Sequence, residues 1–323
     1  MSTSYQLPFR TRLVLLMLKA IRAKAFHKMS LAAIKRARKP VPRFFLTNFV
    51  LGRPVHCHQV YDRKIPVRDG EIRIRVYIPT SEKGLPIILN FHGGGWVVGN
   101  LQNNDQYCAR LARDVGAIVL SVDYRLAPEH KFPVPVQDAY DALLWAYQHA
   151  PELGADPNRI GVTGDSAGGN LSAAISLMSR DLKGPAIAFQ ALLYPATDSR
   201  MDFASMDEHA NAPILGKKDV ETFLAHYIRN DADLENPYLS PVLAENLSNL
   251  PPALVVTAGN DPLRDDGKAY AKALKSAGNT VEYHCFQNDI HGFVTLANHS
   301  ESGQICTDLV SKRFREIFEV AKE

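Results

Sequence analysis

The chain has 323 residues, of which 46% are hydrophobic and 22% charged, a composition that supports a large core and excludes disordered, collagen-like and disulfide-scaffold classes. At a prior of roughly 150 residues per domain, the length allows two domains or one large α/β domain. Formal charge is only +3, yet residues 1–60 hold 12 of the 37 basic residues and none of the 34 acidic ones, leaving residues 61–323 with 25 basic against 34 acidic, a net of -9.

The first element expected is a helix or a pair of helices. Projection of residues 12–29 gathers Val14, Leu18, Ile21, Ala25 and Met29 in one arc, flanked by Arg12, Lys19 and Arg22 on one side and Lys24 and Lys28 on the other, before Pro40 and Pro42 interrupt. The apolar run over 13–18 is too short to span a bilayer, which takes roughly 20 residues. Arg10 and Arg12 precede that run as in a signal peptide, but Lys19, Arg22 and Lys24 follow quickly and no small-x-small cleavage pattern stands out. Cys57, Cys108, Cys285 and Cys306 lie far apart with no CxxC pair, so they read as ordinary thiols and the cytoplasm is the default compartment.

From residue 72 the pattern changes. Alternation over 72–78 predicts a half-buried strand with Arg73 and Arg75 facing away from the core. Further strands are expected over 85–91, 117–122, 160–163, 186–194, 252–258 and 280–286, and helices over 104–114, 134–150, 166–180, 266–277 and 304–321. Apolar strands alternating with helices predict a mostly parallel sheet covered on both faces. Residues 197–250 break this rhythm, with one helix near 218–229, and read as an insertion between two strands.

Four segments carry chemistry. Gly164-x-Ser166-x-Gly168 comes straight after an apolar strand and straight before a helix. A serine on a sharp strand-to-helix turn has its oxygen exposed, small residues two positions either side let backbones approach, and the helix N-terminus favours negative charge. A Gly/Ser turn of no consequence is the bland alternative, and the strand–turn–helix frame argues against it. Upstream, His92-Gly-Gly-Gly-Trp96 follows the 85–91 strand. Three glycines in a row are entropically costly and make sense where bare N–H groups meet a substrate oxygen. Gly93, Gly94 and the N–H of Ala167 are the expected oxyanion donors, each worth about 3 kcal/mol in the transition state. A phosphate loop is the alternative, but neither G-K-[ST] nor GxGxxG is present. His92, at the strand end, reads as structural.

Serine needs a base, and the base an orienting acid, in the chain order Ser, Asp/Glu, His. Asp261 falls just past the 252–258 strand and His291 just past the 280–286 strand, both among turn residues. The rivals are Asp265 and Asp266, better placed to begin the following helix, Asp289, His284 inside a strand, and His299 in a polar stretch.

With these residues quoted, the sequence resembles the hormone-sensitive-lipase-like family of α/β-hydrolase carboxylesterases. The matching segments are His92-Gly-Gly-Gly-Trp-Val-Val-Gly99, Asp123-Tyr-Arg-Leu-Ala-Pro-Glu-His130, Gly164-Asp-Ser-Ala-Gly-Gly-Asn-Leu171, Asp261-Pro-Leu-Arg-Asp-Asp-Gly267 and His291-Gly-Phe293, in order from about residue 60 onward. The resemblance implies an α/β-hydrolase fold with a mostly parallel eight-stranded sheet, helices on both faces and a helical cap. Residues 1–55 would be the cap segment and 56–323 the catalytic domain, with 197–250 adding to the cap. It also implies Ser166 as nucleophile, His291 as base and Asp261 as its orienter, no cofactor or metal, and short- to medium-chain esters as substrates. Family habit points to a homodimer. Asp123, Tyr124 and Arg125 would form a charge network beneath the oxyanion loop. Asp266 and Asn260 depart from the residues usual there.

Amide or acylated-xenobiotic deacetylation is the alternative within the enzyme class, and a ligand-binding relative the alternative outside it. Some relatives of this fold bind ligands after losing the histidine that this chain keeps. The basic N-terminal stripe has two compatible placements: over the active site as a cap, or weakly against an anionic membrane surface. A nucleic-acid partner is not expected, since only the charge run speaks for one.

Overall fold

The computed structural model describes residues 7–20, 25–40, 55–296 and 301–320. Eight strands form in chain order: β1 (Gln59–Val67), β2 (Gly70–Ile78), β3 (Leu85–Phe91), β4 (Ile118–Asp123), β5 (Ala155–Asp165), β6 (Phe189–Leu193), β7 (Ala253–Asn260) and β8 (Val281–Ile290). They make one sheet of order β1-β2-β4-β3-β5-β6-β7-β8, antiparallel at β1/β2 and β2/β4 and parallel from β4 to β8. The wholly buried β3 and β6 are apolar apart from Asn90 and Gln190, as suits strands covered on both faces.

The helices α1 (Phe9–Ala20), α2 (Leu31–Ala37), α3 (Asp105–Val115), α4 (Val134–Leu153), α5 (Ala167–Asp181), α6 (Ala204–Glu208), α7 (Lys217–Tyr227), α8 (Arg264–Ser276), α9 (Phe293–Leu296) and α10 (Glu301–Val320) complete the order among the described residues. α3 and α10 pack together on one face of the sheet. α4, α5 and α8 cover the other, where Ala173 and Leu177 of α5 share one apolar cluster with Tyr270 and Leu274 of α8. α4 ends at Gly154, whose left-handed φ of 74° donates back to Ala150 and Pro151, a glycine stop of the ordinary kind.

Most expected elements fall within a few residues of these. The strand expected over 186–194 is shorter, and the one over 160–163 starts earlier, at Ala155, where it pairs with Leu85 across a bulge. β1 was not anticipated: only Ile65 and Val67 of its nine residues are buried, so it lacks an apolar signature. Of the N-terminal stripe, the Val14 and Leu18 side chains and all of Ile21 lie outside the described residues, while Ala25 and Met29 are half-buried. The insertion carries α6 and α7 and, with described parts of the N-terminal segment, roofs the C-terminal ends of the central strands. No helix among the described residues is long and apolar enough to cross a membrane.

Candidate active site

The turn from β5 into α5 carries Ser166 at φ 55°, ψ -118°, a left-handed backbone that a non-glycine residue holds only under constraint. The constraint is close approach. A β-carbon on Gly168 would sit 1.9 Å from the Phe91 carbonyl oxygen, and one on Gly164 would sit 2.4 Å from the Gly168 carbonyl. The elbow therefore fits only with both glycines, and β3, β5 and α5 lock it in place.

His291 follows β8 and Asp261 follows β7. Neighbouring parallel strands thus deliver both side chains to the same end of the sheet as Ser166, which is where such sheets display ligand sites. His291 Nε2 lies 2.8 Å from Ser166 Oγ, and His291 Nδ1 lies 2.7 Å from Asp261 Oδ2. Asp261 is fully buried and its Oδ1 accepts the Leu263 N–H at 2.8 Å, so the carboxylate is held by both oxygens. The Tyr194 ring stands edge-on to the imidazole at 4.9 Å. All three residues expected from the sequence come together. The rivals do not: His284 pairs with Glu282, Asp265 with Arg264, and Asp289 is buried apart from the triad's hydrogen bonds. His299 lies outside the described residues.

The glycine loop corrects one expectation. The Gly93 N–H donates to Asp165 Oδ1 at 2.9 Å and is therefore not free to meet an oxyanion. The N–H groups of Gly94, Gly95 and Ala167 have no protein acceptor among the described residues. Gly94 and Gly95, and not Gly93, therefore carry the unclaimed N–H groups of the loop. Gly94 and Gly95 take φ of 124° and 59°, conformations open to glycine.

Asp165 and Asn104, to which motif reading gave no role, hold this loop together with His92 and Tyr124, which it read as structural. Asp165 Oδ1 also accepts Asn104 Nδ2 at 2.9 Å, and burial pushes its carboxyl above the usual range against the hydrogen bond from Asn104. His92 is fully buried, with Nδ1 2.8 Å from the Gly93 oxygen, and stacks on Tyr124 at 4.4 Å. Tyr124 donates its hydroxyl to the His92 carbonyl at 2.6 Å. Of Asp123, Tyr124 and Arg125, expected to form a charge network beneath the loop, Tyr124 alone bonds to it; Arg125 grips buried Asp138 and Arg73 donates to Asp123, ion pairs that no hydrogen bond joins to the glycine loop. Asp266 does not cap its own helix. From the first turn of α8 it reaches back to the Thr197 and Asp198 N–H groups at 2.6 and 3.1 Å, tying the insertion to that helix.

Ser166, His291, Gly94, Gly95 and Ala167 all line a cavity of about 770 Å³. Its walls are mainly apolar, from Leu15 and Phe26 of the N-terminal segment, Ile214, Leu215, Phe223 and Leu224 of the insertion, and Trp96 and Val98 of the glycine loop. Among the described residues no group of three or more His, Cys, Asp or Glu side chains could hold a metal ion.

A serine at a strained elbow, bonded through histidine to a buried aspartate on a sheet of this order, defines an α/β hydrolase. The comparisons agree. Residues 88–295 match the family described as alpha/beta hydrolase fold. The carboxylic ester hydrolase LipN of Mycobacterium tuberculosis is 46% identical over 251 residues, covering 76% of this chain and 66% of LipN, just under two thirds of its length. Esterase LipI of the same organism is 42% identical over 82% of each chain. Among solved structures, a hyperthermophilic esterase from the archaeon Pyrobaculum calidifontis superposes with a TM-score of 0.86 at 37% identity, covering 96% of this chain and 98% of that one. The chain belongs to the hormone-sensitive-lipase-like carboxylesterase family of α/β hydrolases.

Proposed function

We propose that this protein is a serine carboxylesterase that hydrolyses short- to medium-chain carboxylic esters through an acyl-enzyme. The observation that carries the reading is the hydrogen-bonded line from Ser166 through His291 to Asp261, facing the same apolar cavity as three unclaimed N–H groups.

His291 Nε2 takes the proton of Ser166 as Oγ attacks the ester carbonyl carbon, and Asp261 stabilises the imidazolium without taking its proton. The carbonyl oxygen becomes an oxyanion that accepts hydrogen bonds from Gly94, Gly95 and Ala167. Collapse expels the alcohol, which leaves with the proton from His291 Nε2. Water then enters, gives its proton to Nε2 and attacks the acyl carbon, and the acid leaves as the proton returns to Ser166. The N-terminal segment and the insertion serve as the cap that keeps this cavity apolar.

The test is a panel of p-nitrophenyl esters from acetyl to palmitoyl, assayed with the wild type and with Ser166→Ala. Turnover confined to short and medium chains and lost in the variant is expected; undiminished turnover in Ser166→Ala refutes the reading.

A second reading concerns the outer face of α1. Phe9, Arg12 and Leu16, spaced i, i+3 and i+7, are exposed on the side away from Thr11, which is buried, and Leu15, which lines the cavity. With the acid-free charge of the first 60 residues, this stripe suits weak contact with an anionic lipid surface. Sedimentation with phosphatidylglycerol vesicles but not with phosphatidylcholine vesicles is the expected result; equal recovery with both contradicts it.

A further inference from the structure

The aromatic wall over the oxyanion loop is built from two distant parts of the chain. Phe223, on α7, lies so close to the loop that a β-carbon on Gly95 would meet its ring Cγ at 2.3 Å. The Phe26 ring packs on Phe223 with centroids 4.9 Å apart and planes at 50°, and both rings line the cavity that holds Ser166. The next residue, His27, is tied to the same helix. Its N–H donates to Asp219 Oδ1 at 3.0 Å, and its Nδ1 lies 2.8 Å from that oxygen. Asp219 is buried, and its Oδ2 accepts the Gly216 N–H at 3.1 Å at the start of α7. Asp219 and Phe223 are four residues apart and so share one helix face. Two consecutive N-terminal residues thus meet two side chains one turn apart, one contact polar and one aromatic.

We propose that Phe26 is a specificity-determining residue: by backing Phe223 against Gly95 it limits how long an ester Ser166 accepts, and the His27–Asp219 contact is the latch that keeps it there. The inference rests on the esterase reading above. An aromatic side chain fills 150–250 Å² of contact surface, so truncating Phe26 opens room beside the loop for more substrate carbon. Each methylene newly buried there raises kcat/KM about fourfold. General loosening of the protein would instead lower the rates for short and long esters together.

The experiment compares kcat/KM along two series, p-nitrophenyl acyl esters from butanoate to decanoate and alkyl acetates from ethyl to decyl, for the wild type, Phe26→Ala, Phe26→Leu and His27→Ala. In at least one series, Phe26→Ala is expected to raise the long-to-short ratio tenfold or more. Phe26→Leu should fall between it and the wild type. His27→Ala should move the ratio the same way by a smaller factor, and adding it to Phe26→Ala should change the ratio no further, because both act through one wall. Phe26→Leu guards against a fold defect in the alanine variant. Ratios within twofold of wild type in both series, or a fall in the ratio, overturn the inference while leaving the esterase reading intact. Absence of turnover in the wild type overturns both.

Discussion

Asp165 accepts the Gly93 N–H at 2.9 Å through Oδ1, the oxygen that also takes Asn104 Nδ2. The residue beside the nucleophile therefore clamps the start of the oxyanion loop, so elbow and loop are set relative to each other by one buried carboxylate. Removing it leaves the half-buried Gly93 N–H and the buried Asn104 amide without their acceptor, the latter at about 1–3 kcal/mol.

Asp165→Ala is accordingly expected to lower kcat on p-nitrophenyl butanoate by about 10–100-fold, a fraction of what losing a whole oxyanion donor costs, with a much smaller change in KM. Asp165→Asn keeps an oxygen acceptor and should retain more than a tenth of wild-type kcat. Steady-state kinetics on the two variants check this; equal rates for Asp165→Ala and wild type would remove the clamp from the account.

Gly95 is left-handed and faces the Phe223 ring. Gly95→Ala is expected to reduce kcat by about 10²-fold, as if one donor were misplaced. Part of that loss should return in the Gly95→Ala, Phe223→Ala double variant, where the ring no longer opposes the added methyl. No recovery would mean that backbone strain alone is responsible.

Asp261 accepts from His291 Nδ1, which keeps Nε2 free to take the serine proton. An asparagine there can turn its amide toward Nδ1 and stabilise the opposite tautomer. Asp261→Asn should lower kcat by about 10⁴-fold with little change in thermal stability. A loss below tenfold would show that His291 finds its tautomer without the acid.

Asp266 gives a pH signature. Burial pushes its carboxyl from 3.8 up to about 8, against hydrogen bonds from Thr197. The folded state then holds a proton that the unfolded chain releases, so stability is full below about pH 4, falls as pH rises toward 8, and levels off above. Asp266→Asn cannot lose a proton there. Urea unfolding should find the variant gaining on the wild type between pH 5 and pH 9 by an amount on the order of 4 kcal/mol. A difference that does not change with pH would mean that Asp266 is ionised throughout.

How much of this is legible without coordinates depends on the residues concerned. Leu85–Phe91 reads as a strand to the residue because every side chain is buried and nearly all are apolar. β1 does not, since Gln59–Asp62 are exposed and Pro66 interrupts the run. Ser166, Asp261 and His291 are legible because each sits just past the end of a strand and the fold brings strand ends together. Which glycine offers its N–H is not, because three identical residues differ only in where their backbones point, and Asp165, visible in the motif, is what decides it. The pairing of Phe26 with Phe223 joins positions almost 200 residues apart and leaves no local trace.

The central claim is that Ser166 is the residue acylated by substrate, and covalent labelling tests it most directly. A fluorophosphonate added to the wild type should abolish ester hydrolysis in proportion to one adduct per chain, with peptide mass spectrometry locating that adduct on Ser166. Full hydrolysis persisting after stoichiometric labelling, or an adduct on another serine that tracks the loss of activity, would contradict it.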